Sequence, residues 1–186
     1  MPEALNDITT PSLILRLLGP AISNACLDNN LVTAQDLLHA AIPGEFLDDL
    51  SSLQNDSRRL QEDPEYKPWA TRAIILVAEM TMIGLIRFHG RPDPHADKPY
   101  MKGAVELGYH IFPSSRRKGY AREAISGMIN WAREEFCVSR FIASVSPENI
   151  PSLALIRSWG LIKIDEVMDE IDGPEHVYML ERINSK

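Results

Sequence analysis

The chain has 186 residues, 45% apolar and 24% charged, with 19 Lys and Arg against 26 Asp and Glu for a net charge of −7. A chain of this length hides roughly 70% of its unfolded surface on folding, so it can build a core without disulfide or metal staples, and the composition excludes a wholly disordered chain. The negative field repels polyanions, which excludes duplex nucleic acid and anionic membranes as main partners.

Residues 1–10 carry no pattern and are expected as a loose lead into one domain spanning 1–186. Ser12–Leu18 reads as a short buried strand stopped by Gly19-Pro20, and residues 20–27 as a helix closed by Asp28-Asn29-Asn30. From Thr33 the period is helical: Leu37, Leu38 and Ala41 share a face, then Phe46, Leu50, Leu53 and Leu60 recur beyond the Pro43-Gly44 break. A polar, Pro-bearing linker, Gln61–Pro68, ends this half.

Thr71–Glu79 and Met82–Phe88 are apolar runs of strand length joined by a tight turn, which predicts an antiparallel hairpin. Gly90–Gly103, with Pro92, Pro94 and Pro99, is too irregular for either regular structure, and loops this long in compact domains often bind something. With Tyr100 it is expected to wall a binding pocket. Ala104–Phe112 reads as a strand and Gly119–Glu135 as a helix with Ala121, Ala124, Ile125, Met128 and Ala132 inward. A strand (Arg140–Ser146), a helix (Pro151–Trp159, stopped at Gly160) and strands Gly160–Val167 and Val177–Ile183 complete the order. Such alternation predicts a mixed sheet with helices on its faces. Trp69, Trp131 and Trp159 are expected as core or rim packing.

Cys26 and Cys137 match no redox or zinc spacing and are expected as reduced, buried small side chains in a cytoplasmic protein. Met1-Pro2-Glu3 opens no basic leader, and no apolar run approaches the roughly 18 residues of a membrane span. His89, Asp93, His95 and Asp97 lie in a proline-bearing segment without ligand spacing, so no metal site is expected.

The chemistry concentrates in one stretch, where the strand ending His110-Ile111-Phe112 runs through Pro113-Ser114-Ser115 into Arg116-Arg117-Lys118-Gly119-Tyr120-Ala121 and then a helix. Amides at a helix N-terminus, with small residues allowing close approach, form an anion site. Three cations at a helix start oppose the helix dipole by some tenths of a kcal/mol each, so an anionic ligand is called for. Neither G-x-x-x-x-G-K-S/T nor G-x-G-x-x-G after a strand is present, which removes the usual nucleotide-binding folds.

Arg116–Ala121 resembles the Q/R-x-x-G-x-G/A pyrophosphate signature of the GNAT superfamily of acetyl-CoA-dependent N-acetyltransferases. Glu106–Ile111, Glu123-Ala124 and the downstream Asn149-Ile150-Pro151-Ser152…Gly160-Leu161, similar to N-x-x-S…G-F with leucine last, look most like its ribosomal-protein N-terminal acetyltransferase branch. The resemblance implies an α/β (α+β) fold: a mixed, mostly antiparallel sheet of about six to seven strands, splayed at its centre, with helices on both faces.

It also implies acetyl-CoA as co-substrate. Backbone groups of His110, Ile111 and Phe112 would bond its pantetheine arm, while the amides of Arg117, Lys118, Gly119, Tyr120 and Ala121, with Arg116, would hold its pyrophosphate. Glu106 would accept the amine's proton, directly or through water, and the Ile111 N–H would face the oxyanion. Many members place a tyrosine four residues before the glycine of the second signature; Ile156 stands there, and in the resembled branch Ser152 serves the departing sulfur. Asn149 is expected to contact cofactor or reacting atoms, or else to cap the helix with Ser152 in its first turn.

The implied reaction is direct attack on acetyl-CoA by a primary amine through a tetrahedral intermediate, with a protein or peptide N-terminus as acceptor. A small-molecule amine (an antibiotic or polyamine), a non-catalytic acyl-CoA-binding module and an RNA-associated domain remain alternatives. An apolar edge on the final strands would suit a homodimer.

Overall fold

A computed structural model describes residues 5–48, 50–169 and 173–181. By internal contacts the chain divides into two compact units, Met1–Phe88 with Tyr109–Trp131, and His89–Gly108 with Ala132–Lys186. Five helices, α1 (Pro20–Leu27), α2 (Leu31–Leu38), α3 (Ser51–Glu62), α4 (Tyr120–Phe136) and α5 (Ile150–Ser158), accompany eight strands in the order β1-β2-β3-β4-β5-β6-β8-β7. The strands are β1 (Ile8–Thr9), β2 (Leu13–Leu17), β3 (Arg72–Leu76), β4 (Thr81–Phe88), β5 (Ala104–Ile111), β6 (Arg140–Val145), β7 (Ile162–Asp169) and β8 (Gly173–Glu181).

The sheet has more strands than expected because the loose lead is not loose. Ile8 and Thr9 pair antiparallel with Leu15 and Ile14, so part of residues 1–10 is a strand; residues 1–4, and the Ile183 end of the last strand, lie outside the described residues. The hairpin is present as β3 and β4, trimmed to Arg72–Leu76 and Thr81–Phe88.

In the first unit β2 pairs with β3 and β3 with β4, all antiparallel. Alternation splits the sheet's apolar residues between two faces. Ala73, Ile75 and Met82 join Ala25, Cys26, Ala34, Leu38, Phe46 and Leu53 of the segments carrying α1 to α3. On the other face Leu15 and Ile8 lie against Gly127 of α4. Trp69 and Trp131 are buried as expected, edge-on to each other, and Arg72 sits over the Trp131 ring.

A buried polar knot holds the helical half to the hairpin. Asp56 of α3 accepts the Tyr66 hydroxyl at 3.0 Å and the Thr71 amide at 2.7 Å, with the Arg87 guanidinium at 3.6 Å. The single Tyr66 hydroxyl proton is shared with the Phe88 carbonyl, also 3.0 Å away. Burial, with the Asp56 charge beside it, pushes the Tyr66 phenol well above its usual range. The linker expected at Gln61–Pro68 is ordered throughout, as the end of α3, its cap Asp63 and a 3-10 segment at Pro64–Trp69 that delivers Tyr66.

In the second unit β5 and β6 are parallel, with Ala104, Val105 and Glu106 opposite Arg140, Phe141 and Ile142; β6–β8 and β8–β7 are antiparallel. Leu153 and Ile156 of α5 pack with Ala143, Val145 and Tyr178. On the opposite face Tyr100 and Met101 of the proline-bearing loop cover Ala104, Ile142 and Val177. The cysteine expectation holds for one of the two: Cys26 is buried, but Cys137 is exposed, because it takes a left-handed φ of 56° in the turn that ends α4. There its amide bonds the Arg133 carbonyl and that of Val138 bonds the Ala132 carbonyl. Among the described residues no helix is long and apolar enough to cross a membrane.

Removing the Asp56 carboxylate leaves a phenol, an amide and a guanidinium without their shared acceptor. Asp56→Ala is expected to cost about 3 kcal/mol of stability, checked by urea unfolding, whereas Asp56→Asn, which keeps an oxygen for Thr71, should lose less.

Candidate active site

Strand β5 carries residues of both units. Beside β4, the Phe112 amide donates to the Ile83 carbonyl at 2.9 Å and the His89 amide to the Glu106 carbonyl at 2.8 Å. As the number rises on one strand it falls on the other, so β4 and β5 run antiparallel. Main-chain groups alternate between the two edges of a strand, so those of Glu106, His110 and Phe112 point toward β4 and those of Ile111 away from it. The Phe112 amide, one of the groups expected for a pantetheine arm, is thus already spent inside the sheet. Of the expected three, Ile111 is the one whose N–H is turned to the opposite edge.

Beyond Ile111 the chain makes a short 3-10 turn at Pro113–Ser115 and reaches the cations. Arg116 folds back, its Nε donating to the Ile111 carbonyl at 2.8 Å and its NH2 lying 3.4 Å from His110 Nε2. Arg117 then adopts φ 62° and Gly119 φ 87°. For glycine that conformation is free, but for arginine it costs about 1 kcal/mol or more, a strain that recurs where backbone is shaped for a ligand. Left-handed residues near a helix start turn successive amides inward as an anion-binding concavity. The first intrahelical bond of α4 runs from Glu123 N–H to the Gly119 carbonyl, so the amides of Gly119, Tyr120 and Ala121 sit where no intrahelical acceptor exists. Arg116, Arg117 and Lys118 are all exposed around it.

The start of α4 is braced from behind. Glu123 accepts the Thr10 hydroxyl at 2.6 Å and the Ser12 amide at 2.7 Å, tying it to the β1–β2 turn. Glu123 lies more than 100 positions from that turn, a separation that leaves no local signal of the contact in the sequence.

In the second unit Glu106 is half-buried on β5 and accepts the Ser144 hydroxyl of β6 at 2.6 Å. The partner is a hydroxyl, and a lone serine in an apolar strand carried no signal. The same face holds Tyr100 and Asp165: the Tyr100 hydroxyl donates to Asp165 Oδ2 at 2.9 Å, and Lys98 Nζ lies 4.0 Å away. That hydroxyl, then the Glu166 amide and the Lys98 charge, hold the Asp165 carboxyl below its usual range. The loop around Asp93 is closed by the Gly103 amide on the Asp93 carbonyl and the His95 amide on its carboxylate. Among the described residues no three His, Cys, Asp or Glu side chains converge as metal ligands.

Asn149 is the N-cap of α5, its Oδ1 accepting the Ser152 amide at 3.2 Å. Ser152 occupies the first turn, half-buried. Ile156, at the family's tyrosine position, is buried in the α5 core, and Trp159-Gly160 closes the helix, with Gly160 left-handed at φ 77°. Helix α5 packs on the face of Ala143 and Val145, whereas Glu106 and Ser144 share the other, so Glu106 and Ser152 do not meet on one face of this unit.

An acetyltransferase (GNAT) domain family matches residues 31–162. The chain belongs to this family. Over 88 residues it is 32% identical to the uncharacterized N-acetyltransferase YnaD of Bacillus subtilis, a match covering 47% of either chain, so it spans about half the length of that curated relative. Similar folds include the ribosomal-protein-S5-alanine acetyltransferase of Vibrio fischeri, at TM-score 0.63 and 16% identity over 97% of this chain and 99% of that one. Another is the microcin C7 self-immunity acetyltransferase MccE, solved with acetyl-CoA and AMP, at TM-score 0.62 and 16% identity with the same coverage. At such identities the likeness is one of fold.

The cap is made by the Ser152 amide and not by its hydroxyl, which separates two roles the sequence left entangled. Asn149→Ala should lower stability by about 1 kcal/mol in thermal unfolding.

Proposed function

We propose that this GNAT-family chain transfers an acetyl group from acetyl-CoA to a primary amine, with a protein or peptide N-terminus as acceptor. The observation that carries the reading is the turn at the head of α4, where Arg117 and Gly119 are both left-handed and three exposed cations flank the helix amides. A diphosphate suits that donor set: main-chain N–H groups in a concavity and positive charge, with Glu123 engaged by Thr10 and Ser12 and the Glu45 carboxylate held by the Ser114 hydroxyl. The amides of Arg117 to Ala121 would hold it, with Lys118 supplying charge. Arg116 would act by fixing the turn to Ile111, His110 and Asn149 would contact the cofactor, and the Ile111 N–H would meet the arm.

Acetyl-CoA, when bound, supplies an activated carbonyl and a thiolate that leaves easily. This chain's residues do the rest. An α-amine has an ordinary pKa of about 7.7–8.0, so its deprotonation near neutral pH needs only a modest acceptor. Glu106, its carboxylate held by the Ser144 hydroxyl, serves that deprotonation. The Ile111 N–H stabilises charge developing on the carbonyl oxygen, and the Ser152 hydroxyl serves the departing sulfur. The loop carrying Lys98 and Tyr100 borders the Glu106 face and helps to select the acceptor. The branch resemblance and neighbours named for ribosomal proteins support a peptide acceptor.

Arg117→Ala combined with Gly119→Glu should weaken CoA binding by well over tenfold in calorimetry with the circular dichroism unchanged; unaltered affinity would remove the cofactor assignment. Ser152→Ala should lower thiol release from acetyl-CoA more than it weakens CoA binding, and full activity in that variant would leave Ser152 a first-turn residue with no chemical part.

A further inference from the structure

His89 follows the last residue of β4, and its amide bonds the carbonyl of Glu106. Residues paired in this way across an antiparallel ladder project their side chains on the same face, with Cβ atoms roughly 5 Å apart. The imidazole leans along β5 onto Gly108. A Cβ built on Gly108 would lie 2.3 Å from His89 Nε2 and 3.0 Å from its Cδ2, so residue 108 has no side chain because the ring occupies that space. Two chemistry-bearing groups thus stand side by side: an imidazole seated on β5, and a carboxylate fixed at 2.6 Å by the Ser144 hydroxyl. Other charged or titratable groups bear on this face: Arg87, two residues back on β4 and opposite Gly108, His110, two residues beyond Gly108 on β5, Lys98 and Tyr100 of the loop, and Asp165 of β7.

We propose that His89 takes the proton from the acceptor's ammonium group and that Glu106, opposite it, orients the ring and stabilises the imidazolium that results. This deepens the acetyl-transfer reading and rests on it. In the step, an N–H bond of the ammonium breaks, its electron pair stays on the amine nitrogen, and the proton forms an N–H bond on the imidazole, from which it passes to solvent. Charge moves from the ammonium to the ring, on the strand face that also carries the Glu106 carboxylate. A histidine suits the task because its ordinary pKa lies near neutrality, where an α-amine is partly protonated. The carboxylate alone is a weaker base and already has a hydrogen-bond donor in Ser144.

Two measurements test this. The first needs no turnover: ring NMR of His89, assigned with His89→Asn, should show its pKa falling by about one unit in Glu106→Gln, and an unchanged value would overturn the pairing. The second is the pH profile of kcat and kcat/KM with a peptide amine. His89→Asn should lower kcat at least tenfold and displace the acidic limb toward alkaline pH, with CoA affinity unchanged. Gly108→Ala, which pushes the ring off β5, should do the same more mildly. A His89→Asn enzyme with wild-type kcat and an unmoved limb would return the proton to Glu106 alone. A coupled ring in a wild-type protein that releases no thiol with any amine would support the pair and count instead against acetyl transfer.

Discussion

A turn that forces arginine into left-handed backbone is held against its own strain, and much of the molecule serves to hold it. Arg117 pays about 1 kcal/mol or more for its φ of 62°, two residues before Gly119 repeats the conformation without cost. On one side Arg116 is latched to the Ile111 carbonyl. On the other, Glu123 fastens the first turn of α4 to Thr10 and Ser12. The turn is thus fixed between a strand of the sheet and the N-terminal β1–β2 hairpin, which explains why a segment with no apparent pattern is ordered. Concave amides at a helix start and exposed cations around them follow from that fixation.

Alternation divides the groups of β5 between two edges and two faces. Residues of β5 with main-chain groups turned to β4 build the sheet, and Ile111 turns its own to the other edge. Side chains alternate between faces in the same way, which puts Glu106 on the face of Ser144 and Tyr100 and leaves α5 with Ser152 on the opposite one. A net charge of −7 is compatible with a basic turn because its cations, Arg116, Arg117 and Lys118, are consecutive and local. Carboxylates such as Asp56, Asp165 and Glu123 are matched to donors where they stand.

Much of the element order was legible, for a physical reason: apolar periods and Gly or Pro punctuation are local, and the hairpin Arg72–Phe88, helix α4 and the α5 stop at Gly160 each depend on neighbours within a few residues. Strand β1 was not, because Ile8 and Thr9 are a strand only through Leu15 and Ile14. Cys137 was misjudged since its exposure depends on the left-handed turn that ends α4, not on its side chain. Asn149 was legible as a cap from its type and spacing, whereas Ser144 beside Glu106 was invisible, as the two meet only by the parallel pairing of β5 with β6.

By itself the amino-acid order determined the strand–cations–glycine–helix run and with it the family, because a short turn and the helix it starts are made from contiguous residues. Tertiary structure alone decided which side chains stand beside Glu106. His89 comes opposite it through the β4–β5 register, Ser144 through the β5–β6 pairing, and Tyr100 through a loop laid on the sheet face. Those partners come from segments whose spacing carries no shared period, so only the hydrogen-bond ladders between strands could bring them together.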